Sequence, residues 1–200
     1  MAEPATYHHG DLRNALLRAA CEIAAADGAA GLSLRKAARR AGVSHAAPAH
    51  HFGDLAGLLE AVAIDGFEKL RAELERAADA APEDGSLALL RDVGLAYVRF
   101  ACEHPGHYRA MFHPRLVERG ASAPLAAASD AAFGVLVDAV EAGQGGGDVR
   151  AGDPRELALA VWAGAHGLAT LWSDGRLGRW ADVDELARRW NATLYYGLRA

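Results

Sequence analysis

The chain has 200 residues, 52% of them hydrophobic, 24% charged and 7% aromatic, with a formal net charge of -5. That length suits one compact domain, or a small domain fused to a larger one, and the apolar content is enough to build a core. The acidic balance excludes an overall basic coat for nucleic acid, but the charge is uneven: residues 1–56 carry six Lys and Arg against five Asp and Glu, and the remainder carries fifteen against twenty-one.

Five of the nine histidines also fall in the first segment (His8, His9, His45, His50 and His51), so only that end can face phosphates comfortably. Cys21 and Cys102 are too few for a disulfide framework and are expected as buried thiols. The N-terminus lacks the apolar stretch of a secretory signal, and no run of about 18 apolar residues exists, so a cytoplasmic protein without a membrane span is expected.

Almost every segment has helical period, and none alternates convincingly like a strand. A first helix is expected from about Asp11 to Asp27, with Leu12, Leu16, Ala19 and Ile23 on one face and Gly28 ending it. Ser33 is a suitable N-cap for a second helix whose Leu34, Ala37, Ala38 and Ala41 point inward, and Gly42 stops it. Ser44 is placed as the cap of a short third helix, His45 to His51. Asp54 then caps a long fourth helix with Leu58, Leu59, Val62, Phe67, Leu70 and Leu74 near one stripe.

The stretch 81–85, Ala-Pro-Glu-Asp-Gly, is a break. A fifth helix follows Ser86, with Leu87, Leu90, Tyr97 and Ala101 along a face. His104-Pro105-Gly106 punctuates the chain before a short helix through Tyr108 and Phe112 that ends before Pro114. A seventh helix covers about Ala123–Ala142, with Phe133, Leu136, Val137 and Val140. Gly143–Gly147 reads as a mobile surface loop. Asp153-Pro154-Arg155-Glu156 sets a cap, a proline at the first helical position and a glutamate at the third; Asp182-Val183-Asp184-Glu185 repeats the box without the proline. Nine helices and no strand give an all-α class.

The second and third helices are short and joined by Ala41-Gly42-Val43, the arrangement of a helix-turn-helix. The third helix carries mostly small side chains, which let a helix backbone enter a major groove closely. With Ser44 as cap, Pro48 is the fourth helical residue and gives up about one backbone hydrogen bond at the edge of the first turn. His50 and His51 are adjacent on a helix and point about 100° apart, so a DNA-facing His50 and a packed or phosphate-facing His51 are favoured over a metal pair.

The run GDLRNALLRAACEIAAADGAAGLSLRKAARRAGVSHAAPAHHFGDLAGLLEAVA, residues 10–63, resembles the DNA-binding domain of the tetracycline-repressor (TetR) family. The glycine after the first helix, the Leu-Ser-Leu entry, the Ala-Gly-Val-Ser turn, the His-Phe pair and the Leu-Leu of the fourth helix carry the resemblance. VWAGAHGLATLW, residues 161–172, is similar to the Trp…His-Gly signature of one TetR branch, and residues 75–150 match in helix pattern only. The resemblance implies a nine-helix fold divided into a helix-turn-helix domain over 1–54 and an effector-binding and dimerisation domain over 55–200. It implies a homodimer on a palindromic double-stranded operator, released by a small molecule, with no cofactor.

By that pattern Arg35, Ser44, His45, Ala46, Ala47, His50 and His51 map to the operator-facing region, and Tyr7, His8 and His9 form an arm near the backbone. The family often has tyrosine where this chain has Ala49 and lysine where it has Leu55. Both usual residues serve phosphate contacts, and their absence implies weaker anchoring, offset by His50, His51 and Arg39.

Tyr97, Phe100, His104, Tyr108, Met111, Phe112, Phe133, Trp162 and His166 are candidates to line an effector cavity, against the alternative of plain core packing. His166 is the foremost, a polar group on an apolar helix that needs a partner if buried. Leu157, Val161, Gly164, Leu168, Leu171, Trp172, Leu186, Trp190 and Leu194 are candidates for the dimer interface. Gly164 and Gly167 each weaken a helix by about 1 kcal/mol, which close approach of another helix explains, whether across a dimer or within the chain. His104, His107 and His113 are read as surface or pocket-lining rather than metal ligands. Glu103 with His107 is a weak acid/base pair, and no nucleophile elbow, phosphate-binding glycine loop or zinc-protease motif is present. The rival to a DNA-binding regulator is a helical ligand-binding or scaffold protein that has lost DNA binding.

Overall fold

The computed structural model describes residues 9–81, 86–177 and 182–199. Among them every regular element is helical: α1 (His9–Asp27), α2 (Leu34–Ala41), α3 (Ala47–Phe52), α4 (Leu55–Asp79), α5 (Ser86–Glu103), α6 (Pro105–Met111), α7 (Pro114–Arg119), α8 (Ala123–Gly145), α9 (Pro154–Ser173) and α10 (Val183–Leu198). This is the all-α architecture that the hydrophobic spacing predicts. Nine of the helices fall where it places them, and α7 is an additional short one whose start is set by His113, whose Nδ1 accepts from Arg115 N at 3.1 Å.

Packing divides the chain into two compact units, Met1–Gly66 with Pro105–Leu125 and Phe67–His104 with Ala126–Ala200. In the first, α1 is the organiser: Leu16, Ala20, Ile23 and Ala24 are buried, and α2, α3 and α6 all pack on it. Gly106 of α6 comes so close to α1 that a Cβ there would lie 2.1 Å from the Cys21 carbonyl oxygen. Arg109 locks the crossing by donating from Nη1 to the carbonyls of Ala24 and Ala25, at 3.1 and 2.6 Å.

In the second unit α5 packs against α9 and α10. Asp153 and Asp182 cap the last two helices as the sequence predicts. Asp153 Oδ1 accepts from the amides of Arg155 and Glu156, and Asp182 Oδ1 from those of Asp184 and Glu185. The Arg99 guanidinium meets the Asp184 carboxylate through two hydrogen bonds of 3.0 and 2.8 Å and holds it below the usual carboxylate range. Asn191, only 1% exposed, donates from Nδ2 to the Arg91 carbonyl and fixes α10 on α5. Gly164 packs within the chain: a Cβ there would meet the Trp190 indole at 2.6 Å, whereas nothing lies within 4 Å of one on Gly167.

Two expectations need correction. Gly143–Gly147 is no loose loop. Helix α8 continues through Gly145, Gln144 Nε2 donates to the carbonyls of Arg150 and Gly152, and Val149 pairs with Arg199 in an isolated antiparallel bridge. A side-chain amide with two donors ties the turn down, which glycine content alone does not reveal. The third helix, moreover, starts later than Ser44 suggests. Ser44 opens a turn closed by Ala47 N to Ser44 O at 3.1 Å, and the N-cap is Ala46, with no side-chain capping bond. Pro48 is therefore in the first turn, where the amide it lacks has no intrahelical partner to lose. The proline costs the helix no hydrogen bond.

Candidate nucleic-acid interface and effector site

The connection between α2 and α3 is built by local rules. Ser33, extended at φ -148° and ψ 153°, accepts from Lys36 N at 3.2 Å and starts α2. Gly42 ends it at φ 68°, a left-handed conformation that suits glycine, with Gly42 N donating to Arg39 O and Val43 N to Ala38 O. This paired closure is a Schellman motif, and it turns the chain sharply enough to lay α3 beside α2. Pro48 is the residue of α3 that buries, and Gly53 stops the helix by donating to the Ala49 carbonyl at 2.9 Å. Asp54 then caps α4, its Oδ1 accepting from Gly57 N at 2.8 Å.

The outcome is an outward face of small residues and imidazoles. Ser44, His45, Ala46, Ala49 and His50 are exposed, and Ala47 and His51 are half-buried. Arg35 and Arg39 are exposed on α2. Tyr7 and His8 lie outside the described residues, and His9 is the first residue of α1 rather than part of an arm ahead of it. The other cations nearby are engaged: Lys36 with Asp27, Arg40 with Glu22 at 2.7 Å, and Arg13 over the Phe52 ring at 5.6 Å from its centroid.

The candidate effector residues divide between the two units. In the second unit, Trp162 Nε1 donates to Tyr97 Oη at 3.3 Å, which leaves the Tyr97 hydroxyl proton for His166 Nδ1 at 2.9 Å. Phe133 meets the Trp162 ring edge to face, with centroids 6.4 Å apart. These four side chains form one amphipathic cluster reaching from α5 across α8 to α9. Phe100 and His104, one turn apart, stack at 4.9 Å between centroids. Tyr108, Met111 and Phe112 belong instead to the first unit, where Tyr108 and Phe112 pack at 5.2 Å and Met111 lies against Gly66.

Burial lowers the pKa of His166 from its ordinary value near 6.5. A folded-state pKa below the unfolded one means that the unfolded chain takes up the proton first. The contribution of His166 to stability is therefore intact above about pH 6.5 and declines as pH falls from there towards the folded-state pKa. The melting temperature of His166→Gln should accordingly fall less than that of the native protein when both are taken from pH 7 to pH 5.5. Parallel losses in the two proteins would refute that assignment.

One constellation was not visible in sequence. His107 Nε2 lies 2.7 Å from Asp65 Oδ2 and 3.2 Å from Cys21 Sγ, joining α6, α4 and α1. His107 is thus apart from His104 and His113 in what it touches, and among the described residues no group of His, Cys, Asp and Glu is arranged to hold a metal. Neither cysteine forms a disulfide; burial, then Asp184 and Glu103, push the Cys102 thiol up. Of the candidate dimer residues, Leu157 and Val161 are buried within the chain. Leu168, Trp172, Leu186, Trp190 and Leu194 are half-buried. Leu171 is 43% exposed and is joined by Leu159 at 52% and Tyr196 at 84%, which the sequence reading passed over.

Residues 16–62 match the family model described as bacterial regulatory proteins, tetR family, and residues 90–194 match that of the tetracyclin repressor-like C-terminal domain. Among solved structures the chain is similar to a protein of unknown function from Rhodococcus sp. RHA1, at 40% identity over 98% of this chain and 100% of that one, with a TM-score of 0.84. It shares its fold with a bacterial regulatory protein in the tetR family from Rhodococcus RHA1, at 21% identity over 94% and 97% of the two chains and a TM-score of 0.75. The fold also matches that of a fatty acid degradation regulator from Bacillus halodurans, at 13% identity over 98% and 97% and a TM-score of 0.76. No curated protein matches the chain.

Proposed function

We propose that this chain, which belongs to the tetR family of bacterial regulatory proteins, is a cytoplasmic repressor that leaves its operator when a small molecule binds. The family is one of DNA-binding transcription regulators and not of enzymes. The observation that carries the operator reading is α3 with its lead-in turn: Ser44, His45, Ala46, Ala49 and His50 are exposed, and none of these side chains is larger than imidazole.

Arg35, Ala47 and His51 complete the DNA surface in this reading, with Tyr7, His8 and His9 ahead of it. The effector contacts are assigned to Tyr97, Trp162, His166 and Phe133, where apolar rings surround a few polar atoms. Dimerisation is assigned to the outer faces of α9 and α10, for which the exposure of Leu159, Leu171 and Tyr196 speaks. The proposed mechanism is linkage: an effector that prefers a dimer whose recognition helices are wrongly spaced for successive major grooves, about 34–36 Å apart, lowers operator affinity by the ratio of its affinities for the two states.

One observation favours the rival, a helical scaffold with weakened DNA binding. Lys36, Arg40 and Arg13 are all engaged within the chain, and Ala49 and Leu55 offer no phosphate contact. Binding to DNA from upstream of its own gene against scrambled DNA, at two salt concentrations, followed by a selection from genomic fragments, decides between them. Sequence-selective, salt-dependent binding supports the regulator. Failure in both assays supports the scaffold.

A further inference from the structure

We propose that operator binding by this chain is coupled to proton uptake, with His45, His50 and His51 supplying phosphate-binding charge that fixed cations do not. The inference rests on the operator reading above and adds to it the regulation of that surface. Residues 42–52, which comprise the turn and α3, contain no Lys, Arg, Asp or Glu. Every side-chain charge this segment can present is therefore an imidazolium. His45 and His50 are exposed and His51 half-buried, so all three reach solvent on or just ahead of α3.

The elements that pack most closely against α3 are α1 and α2. From α2 come Arg35 and Arg39, which have no acid partner among the described residues, and Lys36 and Arg40, whose charges are taken up by Asp27 and Glu22. From α1 come Arg18, which is exposed, and Arg13, which lies over Phe52. The same ion pairs occupy Glu22 and Asp27, and Asp54, which follows α3, caps α4. Among these groups the cations outnumber the carboxylates, and Glu22 and Asp27 are paired while Asp54 is a cap. The rings of His50 and His51 lie 5.4 Å apart at 80°. A phosphodiester within reach of an imidazole favours its charged form.

The sign follows. If the complex holds these protons more tightly than the free protein, binding takes protons up, tightens as pH falls, and is lost as pH rises through the range in which the bound imidazolium deprotonates. Histidine is the side chain whose charge changes between about pH 5 and 8, so the response falls within the physiological range.

The test is fluorescence anisotropy of the full chain at low salt on a labelled duplex of arbitrary sequence, where phosphate contacts alone drive binding. Between pH 8 and pH 6 the affinity is expected to rise about tenfold or more, and the slope of log K against log salt to steepen by about one for each imidazolium that meets a phosphate. The triple variant H45Q/H50Q/H51Q is expected to lose most of that pH response. The variant H45K/H50K is expected to bind at pH 8 as tightly as the native protein does at pH 6, and circular dichroism checks that both fold. A flat affinity for the native protein, or an undiminished response in the triple variant, overturns the proposal. Absence of binding at every pH sinks the operator reading, and this inference with it.

Discussion

Replacing Gly106 with alanine should destabilise the first unit by about 3 kcal/mol, at the upper end of the usual cost of overpacking. The new Cβ would lie 2.1 Å from the Cys21 carbonyl oxygen, 2.8 Å from its carbon and 3.1 Å from its Cα. These are backbone atoms in the middle of α1, so no flexible side chain can swing aside. Helix α6 would have to lift, loosening the buried Tyr108, Ala110 and Met111 together with the bonds from Arg109 to Ala24 and Ala25. Gly134 provides the control. It also lies inside a helix, but a Cβ there meets nothing within 4 Å, so Gly134→Ala should stabilise by up to about 1 kcal/mol through helix propensity alone. Denaturant unfolding of both variants checks the pair: opposite shifts are expected, and an unchanged midpoint for Gly106→Ala would mean that α1 and α6 do not cross this closely.

The contrast between these two glycines shows what the sequence does and does not contain. Features set by neighbours along the chain were legible. Ser33, Asp153 and Asp182 cap where their identity suggests, and Gly28 and Gly42 end α1 and α2 at positive φ. The burial stripe of α4, from Leu58 to Leu74, was readable from its spacing. Ser44 marks the limit of this kind of reasoning. Its type suits a cap, but the chain spends Ser44 to Ala46 in a turn, so the residue signals that a helix follows without fixing its first residue.

Contacts between distant positions were not legible. Tyr97 and His166 stand in one set of nine candidate cavity residues, but nothing in the sequence pairs them, and only folding brings them to 2.9 Å across 69 positions. His107 was grouped with His104 and His113 by proximity in sequence, whereas in the fold it joins Asp65 and Cys21. The outer faces of α9 and α10 are hard to read from sequence for another reason. Helix α9 is apolar on a broad side, and periodicity alone cannot separate the part that buries Leu157 and Val161 from the part that exposes Leu159 and Leu171.

The second large effect belongs to Ala49. Changing it to glutamate should abolish sequence-selective DNA binding, a loss of about a hundredfold or more, while leaving the fold intact. Ala49 is exposed near the middle of α3, so a longer side chain there displaces nothing, and surface changes of this kind usually stay within about 0.5 kcal/mol of native stability. On a helix lying in a major groove, the same carboxylate would face phosphate charge with no lysine or arginine on α3 to neutralise it, and like charges brought together at an interface cost several kcal/mol. Ala49→Tyr combined with Leu55→Lys is the converse experiment. It supplies the phosphate contacts that the family often has at these positions and should raise affinity, with the lysine steepening the salt dependence by about one unit. If Ala49→Glu binds DNA like the native protein, α3 does not enter a groove. If the double variant gains affinity while Ala49→Glu loses it, α3 is the reading helix, and the missing tyrosine and lysine mark a weakly anchored operator complex rather than a lost one.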